Sequence, residues 1–169
     1  MVTSLKLSEE QVWDILALVP DPEIPVISVV DLGIIRAVKW NEDVLEVTLT
    51  TTYSGCPATA AITLDVETAL LSAGVKSFKV INQLSPPWTT DWISKSGREK
   101  LKAYGIAPPA EGASCAGMLK IGESKPPIIN CPRCNSVKTE RISQFGSTPC
   151  KASYRCMDCL EPFDYFKTF

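Results

Sequence analysis

The sequence predicts an α+β protein, in which a small sheet carries helices on one face and a C-terminal module built on four cysteines follows. Two observations carry this prediction. Helical and strand-like hydrophobic spacing alternate over the first hundred or so residues, and two Cys-x-x-Cys pairs lie near the end of the chain. The length of 169 residues allows one compact domain of roughly 100 residues and a small second module.

The chain begins with the signals of an amphipathic helix. Ser8 and Gln11 form a capping-box pair, in which each side chain satisfies a backbone N–H at the helix start. Four apolar residues then recur at helical spacing: Val12, Ile15, Leu16 and Val19. Pro20 and Pro22 end this helix, and the segment DPEIP at residues 21–25 is predicted to be a rigid acidic turn.

A β-hairpin follows the acidic turn. Residues 33–40 contain the bulky apolar residues of a strand, and residues 44–52 begin with a strict alternation of apolar and polar side chains. The short polar segment NED at residues 41–43 is predicted to be the turn that joins the two strands.

The pattern helix, strand, helix completes the front domain. Residues 60–74 are predicted to form a helix that ends near Gly74, residues 75–84 a third strand, and residues 93–104 a polar helix that ends at Gly105. We therefore expect one α+β domain over residues 1–107. Residues 108–127 are rich in Gly, Pro, Ala and Ser and are predicted to be a linker to a second domain at residues 128–169.

The tail contains the strongest chemical signal in the sequence. Twenty-one residues separate two Cys-x-x-Cys pairs, and these pairs are Cys131 with Cys134 and Cys156 with Cys159. A two-residue spacer lets both thiolates of a pair turn toward one point, and two pairs joined by a hairpin complete a tetrahedral site with metal–sulfur distances of about 2.3 Å. This layout is typical of a zinc ribbon, and a closed four-cysteine site normally serves to fold its own module.

The identity of the metal stays open at this stage, because four thiolates also suit a single iron ion or an iron–sulfur cluster. Cys150 is a fifth thiol near the predicted site and admits four interpretations: a spare thiol, a substitute ligand, a regulatory site or a small buried residue. The sequence assigns no role to Cys115. Paired disulfides are the alternative for the four-cysteine set, but clustered cysteines in a chain without an export signal favour metal binding.

Cys56 is the other cysteine with a predicted function. It stands alone in the segment SGCP at residues 54–57, and Pro57 suits the first position of a helix, which places Cys56 at the N-cap. There the helix dipole and free backbone N–H groups favour a thiolate. Cys56 is therefore a candidate reactive thiol or transient metal ligand, and an inert, partly buried cysteine is the alternative.

Three acidic residues of the front domain, Asp21, Glu23 and Asp31, are candidate supporting groups, although Asp21 and Asp31 also suit turn and cap positions. The chain contains no histidine, which excludes histidine-based acid/base catalysis and histidine metal ligands. No hydrolytic or acyl-transfer site can be assembled from the remaining residues, so we assign no catalytic residue.

The charge pattern bears on the partners of the protein. The net charge is −2, and residues 128–169 contain six Lys/Arg against four Asp/Glu. Four thiolates on a divalent ion contribute about −2, which cancels this excess, so we expect a protein partner and no nucleic acid. The N-terminal residues lack the pattern of a signal peptide and no apolar run suits a membrane span, which predicts a cytoplasmic protein. The aromatic segment at residues 162–169 suits either an interface or packing around the metal module.

Three ordered motifs resemble a known family. The segments DPEIP at 21–25, DLGI at 31–34 and SGCP at 54–57 are similar to the motifs of the iron–sulfur assembly domain of bacterial SufT. The resemblance covers roughly residues 8–104. It implies an α+β fold and a role in assembling or delivering iron–sulfur clusters, with Cys56 as the functional cysteine.

Nearly the whole chain is similar to the PaaD family of bacterial phenylacetate degradation. The matching segments are PPWTTDWI at 86–93, YGIAPP at 104–109, FGST at 145–148, YRC at 154–156 and EPFD at 161–164. The resemblance implies an accessory component of the multicomponent phenylacetyl-CoA epoxidase, which contains a di-iron oxygenase and an iron–sulfur flavoprotein reductase.

Three hypotheses follow for the function. The first is a maturation factor without catalysis of its own, which helps install a metal centre of the epoxidase, in particular the iron–sulfur cluster of the reductase. Iron or a cluster would then bind transiently at Cys56. The second is a structural subunit that docks on the epoxidase, and the third is an enzyme with Cys56 as nucleophile. A homodimer is compatible with each of them.

Overall fold

The computed structural model describes residues 6–53, 55–110 and 128–167. Contacts between residues divide the chain into two compact units, residues 1–88 and residues 89–169. None of the described helices is both long enough and apolar enough to span a lipid bilayer.

The described part of the first unit contains two helices and a three-stranded sheet. Its elements are α1 (Glu9–Leu16), β1 (Ile35–Asn41), β2 (Val44–Leu49), α2 (Thr59–Ser72) and β3 (Phe78–Asn82). β1 and β2 form the predicted antiparallel hairpin, with Trp40 opposite Leu45. β3 lies parallel to β2 on its other side, with Val80 opposite Val47, and α2 provides the crossover that a parallel pair requires.

The hydrophobic pattern of these elements explains their packing. The apolar residues of β2 alternate with polar ones, and Leu45, Val47 and Leu49 are fully buried on one face. α1 buries Val12 and Leu16 and contacts both α2 and β1. The predicted capping box is present, since the backbone N–H of Gln11 donates to Ser8 Oγ and that of Ser8 to Gln11 Oε1. The predicted α+β class is confirmed.

Within residues 89–110 and 128–167, the second unit combines one α-helix with a four-stranded sheet. Its elements are a single 3-10 turn (Thr90–Trp92), α3 (Lys95–Tyr104), β4 (Ile106–Ala107), β5 (Thr139–Ser143), β6 (Lys151–Cys156) and β7 (Pro162–Phe166). The strand order is β4-β7-β6-β5. β4 pairs parallel with β7, and β5, β6 and β7 form an antiparallel meander.

The boundary between the units differs from the predicted one at residue 107. Residues 89–107 belong to the second unit, because β4 is hydrogen-bonded to β7 and α3 packs on β4. α3 ends as predicted at Gly105, whose φ of 92° is a conformation that glycine adopts without strain. The first three residues of the predicted linker are described as irregular backbone, and residues 111–127 lie outside the described residues.

The aromatic segment near the C-terminus is part of the core. Phe163, Tyr165 and Phe166 are at most 7% exposed and lie on β7, a strand that the sequence did not predict. Tyr154 of β6 stacks on Phe163 at a centroid distance of 5.9 Å and meets the edge of Tyr165 at 5.7 Å. For these residues the structure therefore supports packing over an exposed interface. Phe169 lies outside the described residues.

Candidate functional site

The four cysteines of the two Cys-x-x-Cys pairs come together in the second unit. Their sulfur atoms all lie within 4.8 Å of one another. The first pair forms a turn before β5 and the second a turn between β6 and β7. The β5–β6 hairpin brings these turns together, and the Met157 N–H donates to the Lys138 carbonyl at 2.8 Å between them.

The distances between the sulfurs fit a tetrahedral metal site. The Sγ atoms of Cys131 and Cys159 are 3.7 Å apart, and those of Cys134 and Cys156 are 3.5 Å apart. A tetrahedral ion with metal–sulfur bonds of about 2.3 Å separates its sulfurs by about 3.8 Å, whereas a disulfide bond measures about 2.05 Å. The arrangement therefore suits metal binding and not paired disulfides. Because all four positions would be occupied by protein thiolates, such a site is closed.

The pKa values of Cys156 and Cys159 are shifted in opposite directions. The backbone N–H of Cys159 donates to the Cys156 sulfur at 3.5 Å and lowers the pKa of Cys156 to about 6. Cys159 accepts a hydrogen bond from the Glu161 backbone, but burial and the neighbouring sulfurs raise its pKa to about 12. A bound cation favours the thiolate form of every ligand and removes this penalty.

Cys150 does not join the four-cysteine cluster. Its thiol is 5% exposed and lies 3.0 Å from Thr148 Oγ1, and its carbonyl accepts a hydrogen bond from the Lys167 N–H. Of the four interpretations of Cys150, the small buried residue agrees best with this environment. Cys115 lies outside the described residues.

Cys56 lies in the first unit, in the turn that leads into α2. Residue Ala58, not Cys56, is the N-cap of this helix, so the predicted N-cap position is wrong by two residues. Before the regular helix starts, a tight turn forms, in which the Thr59 N–H and Oγ1 both donate to the Cys56 carbonyl, the latter at 2.8 Å. The Ala58 N–H nevertheless donates to the Cys56 sulfur, which keeps the thiol at the helix start.

The acidic turn predicted at residues 21–25 lies near this thiol. Asp21 is 6% exposed, and its Oδ1 accepts the N–H groups of Glu23 and Ile24 at 2.9 and 2.8 Å, so its carboxylate holds the turn in shape. Glu23 and Asp21 are close enough to Cys56 for their charges to act on its thiol. Asp31 is buried in a second turn, where its N–H donates to Ser28 Oγ.

The pKa of Cys56 is raised from its ordinary value, and this overturns the expected stabilisation of the thiolate. Burial of the half-exposed thiol is the largest cause, and the charges of Glu23 and Asp21 act in the same direction. The hydrogen bonds from Ala58 and Thr59 oppose the shift but do not offset it. Cys56 is therefore mostly a neutral thiol at neutral pH, and a bound cation would have to displace its proton.

We expect the alkylation of Cys56 by iodoacetamide to be slow at pH 7 and to keep accelerating above pH 9.0, the ordinary value for the thiol. Glu23→Gln removes a like charge and should move the inflection of the pH–rate profile to lower pH. Glu10→Gln, at an exposed position in the first turn of α1, is the matched control. Mass spectrometry of the Cys56 peptide measures the rate, and an inflection below pH 8 in the wild type would contradict the assignment.

Three threonines directly after β2 were not among the site residues predicted from the sequence. Thr50, Thr51 and Thr52 are at most 8% exposed, although threonine is usually a surface residue. Thr51 Oγ1 is buried without a hydrogen-bond partner among the described residues. A buried hydroxyl left unpaired typically costs about 1–3 kcal/mol. The run of three threonines shortly before Cys56 is the sequence signal that could have identified this buried polar segment.

Two families match the two parts of this chain. Residues 9–80 match the family described as iron-sulfur cluster assembly protein, and residues 120–167 match the family described as PaaD zinc beta ribbon domain. The first match contains the acidic turn and Cys56, and the second contains all four clustered cysteines.

One known protein matches nearly the whole chain, whereas other relatives and solved structures match a little over half of it. An Escherichia coli protein, provisionally named as one of the subunits of 1,2-phenylacetyl-CoA epoxidase, is 48% identical over 93% of this chain and 91% of its own length. A Porphyromonas gingivalis Fe-S protein maturation auxiliary factor is 38% identical over 56% of this chain and 90% of its own. A domain of unknown function from Bacillus anthracis has 29% identity, a TM-score of 0.52 and coverage of 55% of this chain and 90% of its own.

A conserved hypothetical protein of Thermotoga maritima is 32% identical to this chain, with a TM-score of 0.50 and coverage of 58% of this chain and 97% of its own. Such relatives correspond to a little over half of the present chain.

Proposed function

This chain belongs to the PaaD family, and we propose on that premise that it is an accessory protein of the phenylacetyl-CoA epoxidase system that assists the assembly of an iron–sulfur centre. The proposal combines two relationships: the full-length relative is a component of that epoxidase by name, and the relatives of the front unit are Fe-S protein maturation factors by name. The iron–sulfur reductase of the epoxidase is the proposed client, and the cytoplasm is the proposed location.

The observation that carries the proposal is the half-buried Cys56 thiol, on which the charges of Glu23 and Asp21 act. Because burial and like charges raise the pKa of Cys56, an incoming cation must displace the proton, which weakens binding at neutral pH. Weak and reversible binding is what a transient ligand needs.

The second unit has a different role in this proposal. The four clustered cysteines hold one zinc ion permanently, and the ion keeps the small sheet folded as a surface for a protein partner. The maturation factors related to the front unit match only 52–56% of this chain, so the ribbon is the part that would direct a general assembly domain to one client.

Replacing Cys56 by serine tests the proposed mechanism. We expect reductase isolated from cells that carry Cys56→Ser to contain iron and sulfide at the level of cells that lack the protein. The purified variant should also bind Fe²⁺ at least about tenfold more weakly, since removal of even an outer partner of a metal ligand typically costs about 10–100-fold in affinity. Metal analysis and sulfide analysis of the reductase provide the first measurement.

Cys150→Ser is the control, because it removes a single thiol that lies outside both sites. It should leave the iron content of the reductase unchanged. A fully loaded reductase in the Cys56→Ser strain would refute the role of this thiol.

A structural subunit is the second candidate, and the naming of the full-length relative as a subunit favours it. Copurification with active oxygenase at fixed stoichiometry, unaffected by Cys56→Ser, would support this candidate. Native mass spectrometry of the same sample determines whether the protein is a monomer or a homodimer and whether zinc is bound.

A further inference from the structure

A hydrogen-bond network connects the two cysteine turns through one carboxylate. Asp158 lies inside the second Cys-x-x-Cys pair, and both of its oxygens are used. Ser136 Oγ donates to Asp158 Oδ2 at 2.6 Å, and Lys138 Nζ donates to Asp158 Oδ1 at 3.2 Å. Ser136 and Lys138 follow the first pair in sequence, so the carboxylate of one turn is bound by side chains of the other.

Backbone hydrogen bonds extend this network to the sulfur ligands. The Cys131 N–H donates to the Ser136 carbonyl at 2.9 Å, and the Lys138 N–H donates to Ser136 Oγ at 3.0 Å. The Met157 N–H, next to Cys156, donates to the Lys138 carbonyl at 2.8 Å. A continuous path of hydrogen bonds therefore runs from Cys131 through Ser136 and Asp158 to the second turn.

The exposure of the network argues against a role in general stability. The side chains of Lys138 and Asp158 are 73% and 45% exposed. Ion pairs at this exposure contribute about 0–1 kcal/mol to folding, because water screens the charges. The same hydrogen bonds constrain where the two turns lie relative to each other, and the four cysteines lie on those turns. Residues that hold metal ligands through hydrogen bonds commonly set the affinity of a site.

We propose that Asp158 is a positioning residue of the four-cysteine metal centre. By holding Ser136 and Lys138, it keeps the two turns at the separation at which all four sulfurs fit one ion, and so slows the release of the metal. Its carboxylate binds no metal itself. The inference depends on a metal in the ribbon but not on Cys56 or on any client, so its failure would leave the proposed maturation function intact.

The release of zinc from the loaded full-length protein tests this assignment. With excess chelator and a colorimetric zinc indicator, Asp158→Ala should release zinc about 10–100-fold faster than the wild type. Asp158→Asn retains an acceptor for Ser136 but loses the charge pair with Lys138, so its rate should lie between the two. Glu140→Ala removes an exposed carboxylate from β5 outside both turns and should release zinc at the wild-type rate.

Two further measurements separate positioning from a loss of folding. In the cobalt-substituted protein, Asp158→Ala should change the energies of the d–d bands, which report the angles between ligands, and retain the thiolate charge-transfer intensity of four sulfurs. Its melting temperature with zinc bound should stay within a few degrees of the wild type. Wild-type zinc release from Asp158→Ala, or equally fast release from Glu140→Ala, would overturn the proposal.

Discussion

A chain with Cys131→Ser is expected to lose its stoichiometric metal and the fold of its ribbon. Cys131 is fully buried, and it belongs to the same hydrophobic cluster as Cys156, Tyr154 and Phe163. The described part of the ribbon spans residues 128–167, and a segment of this size does not bury enough apolar surface to fold alone. Structural zinc typically supplies about 10–16 kcal/mol of apparent folding free energy, so the loss of one ligand removes the main stabilising term.

The metal-to-protein ratio after gel filtration measures this effect, and hydrogen exchange reports the fold of the ribbon. We expect less than one tenth of an equivalent of metal in the variant and rapid exchange over β5, β6 and β7. Cys150→Ser provides the comparison, because it removes a buried thiol of the same unit from outside the cluster. One full equivalent of metal in Cys131→Ser would show that the ligand set is different.

Leu45→Ala should strongly destabilise the sheet of the first unit. Leu45 is 0% exposed in the central strand β2, where it lies between Trp40 of β1 and Phe78 of β3. Removing a leucine side chain from such a position leaves a cavity and typically costs about 2–5 kcal/mol. The free energy of unfolding should fall by this amount in urea denaturation, followed by the fluorescence of tryptophans in residues 1–88.

The neighbouring residue offers a control in the same strand. Val44 is 38% exposed and points to the opposite face of β2, so Val44→Ala should change the free energy of unfolding by about 0.5 kcal/mol or less. Similar losses in both variants would mean that the alternation does not define the buried face. The metal content of Leu45→Ala should stay at the wild-type level.

Features of the fold that depend on short segments could be predicted from the sequence. The capping box at Ser8, the β1–β2 hairpin and the end of α3 at Gly105 each depend on residues only a few positions apart. The sequence did not predict β4 and β7, because Ile106–Ala107 is too short to show alternation and the aromatic residues of Pro162–Phe166 suit several environments. Their pairing joins residues more than fifty positions apart, and it moves the boundary between the units from residue 107 to residue 88.

The candidate sites likewise differ in how far they could be predicted from the sequence. The spacing of Cys131, Cys134, Cys156 and Cys159 was enough to identify a metal-binding set, because two thiolates in a tight turn converge whatever surrounds them. The environment of Cys56 was not available from spacing. Its position before a helix suggested a stabilised thiolate, whereas the folded chain raises the pKa of the thiol.

The sequence by itself therefore determined which cysteines could share a metal, since local geometry dictates their convergence. Only the tertiary structure decided the protonation of Cys56, since burial and the charges of Asp21 and Glu23 act through space, from residues more than thirty positions away. The same holds for Asp158, whose place between two cysteines gives no indication that it binds Ser136 and Lys138 of the other turn. Spacing along the chain encodes short-range geometry, whereas electrostatics and hydrogen-bond networks depend on neighbours that only folding brings together.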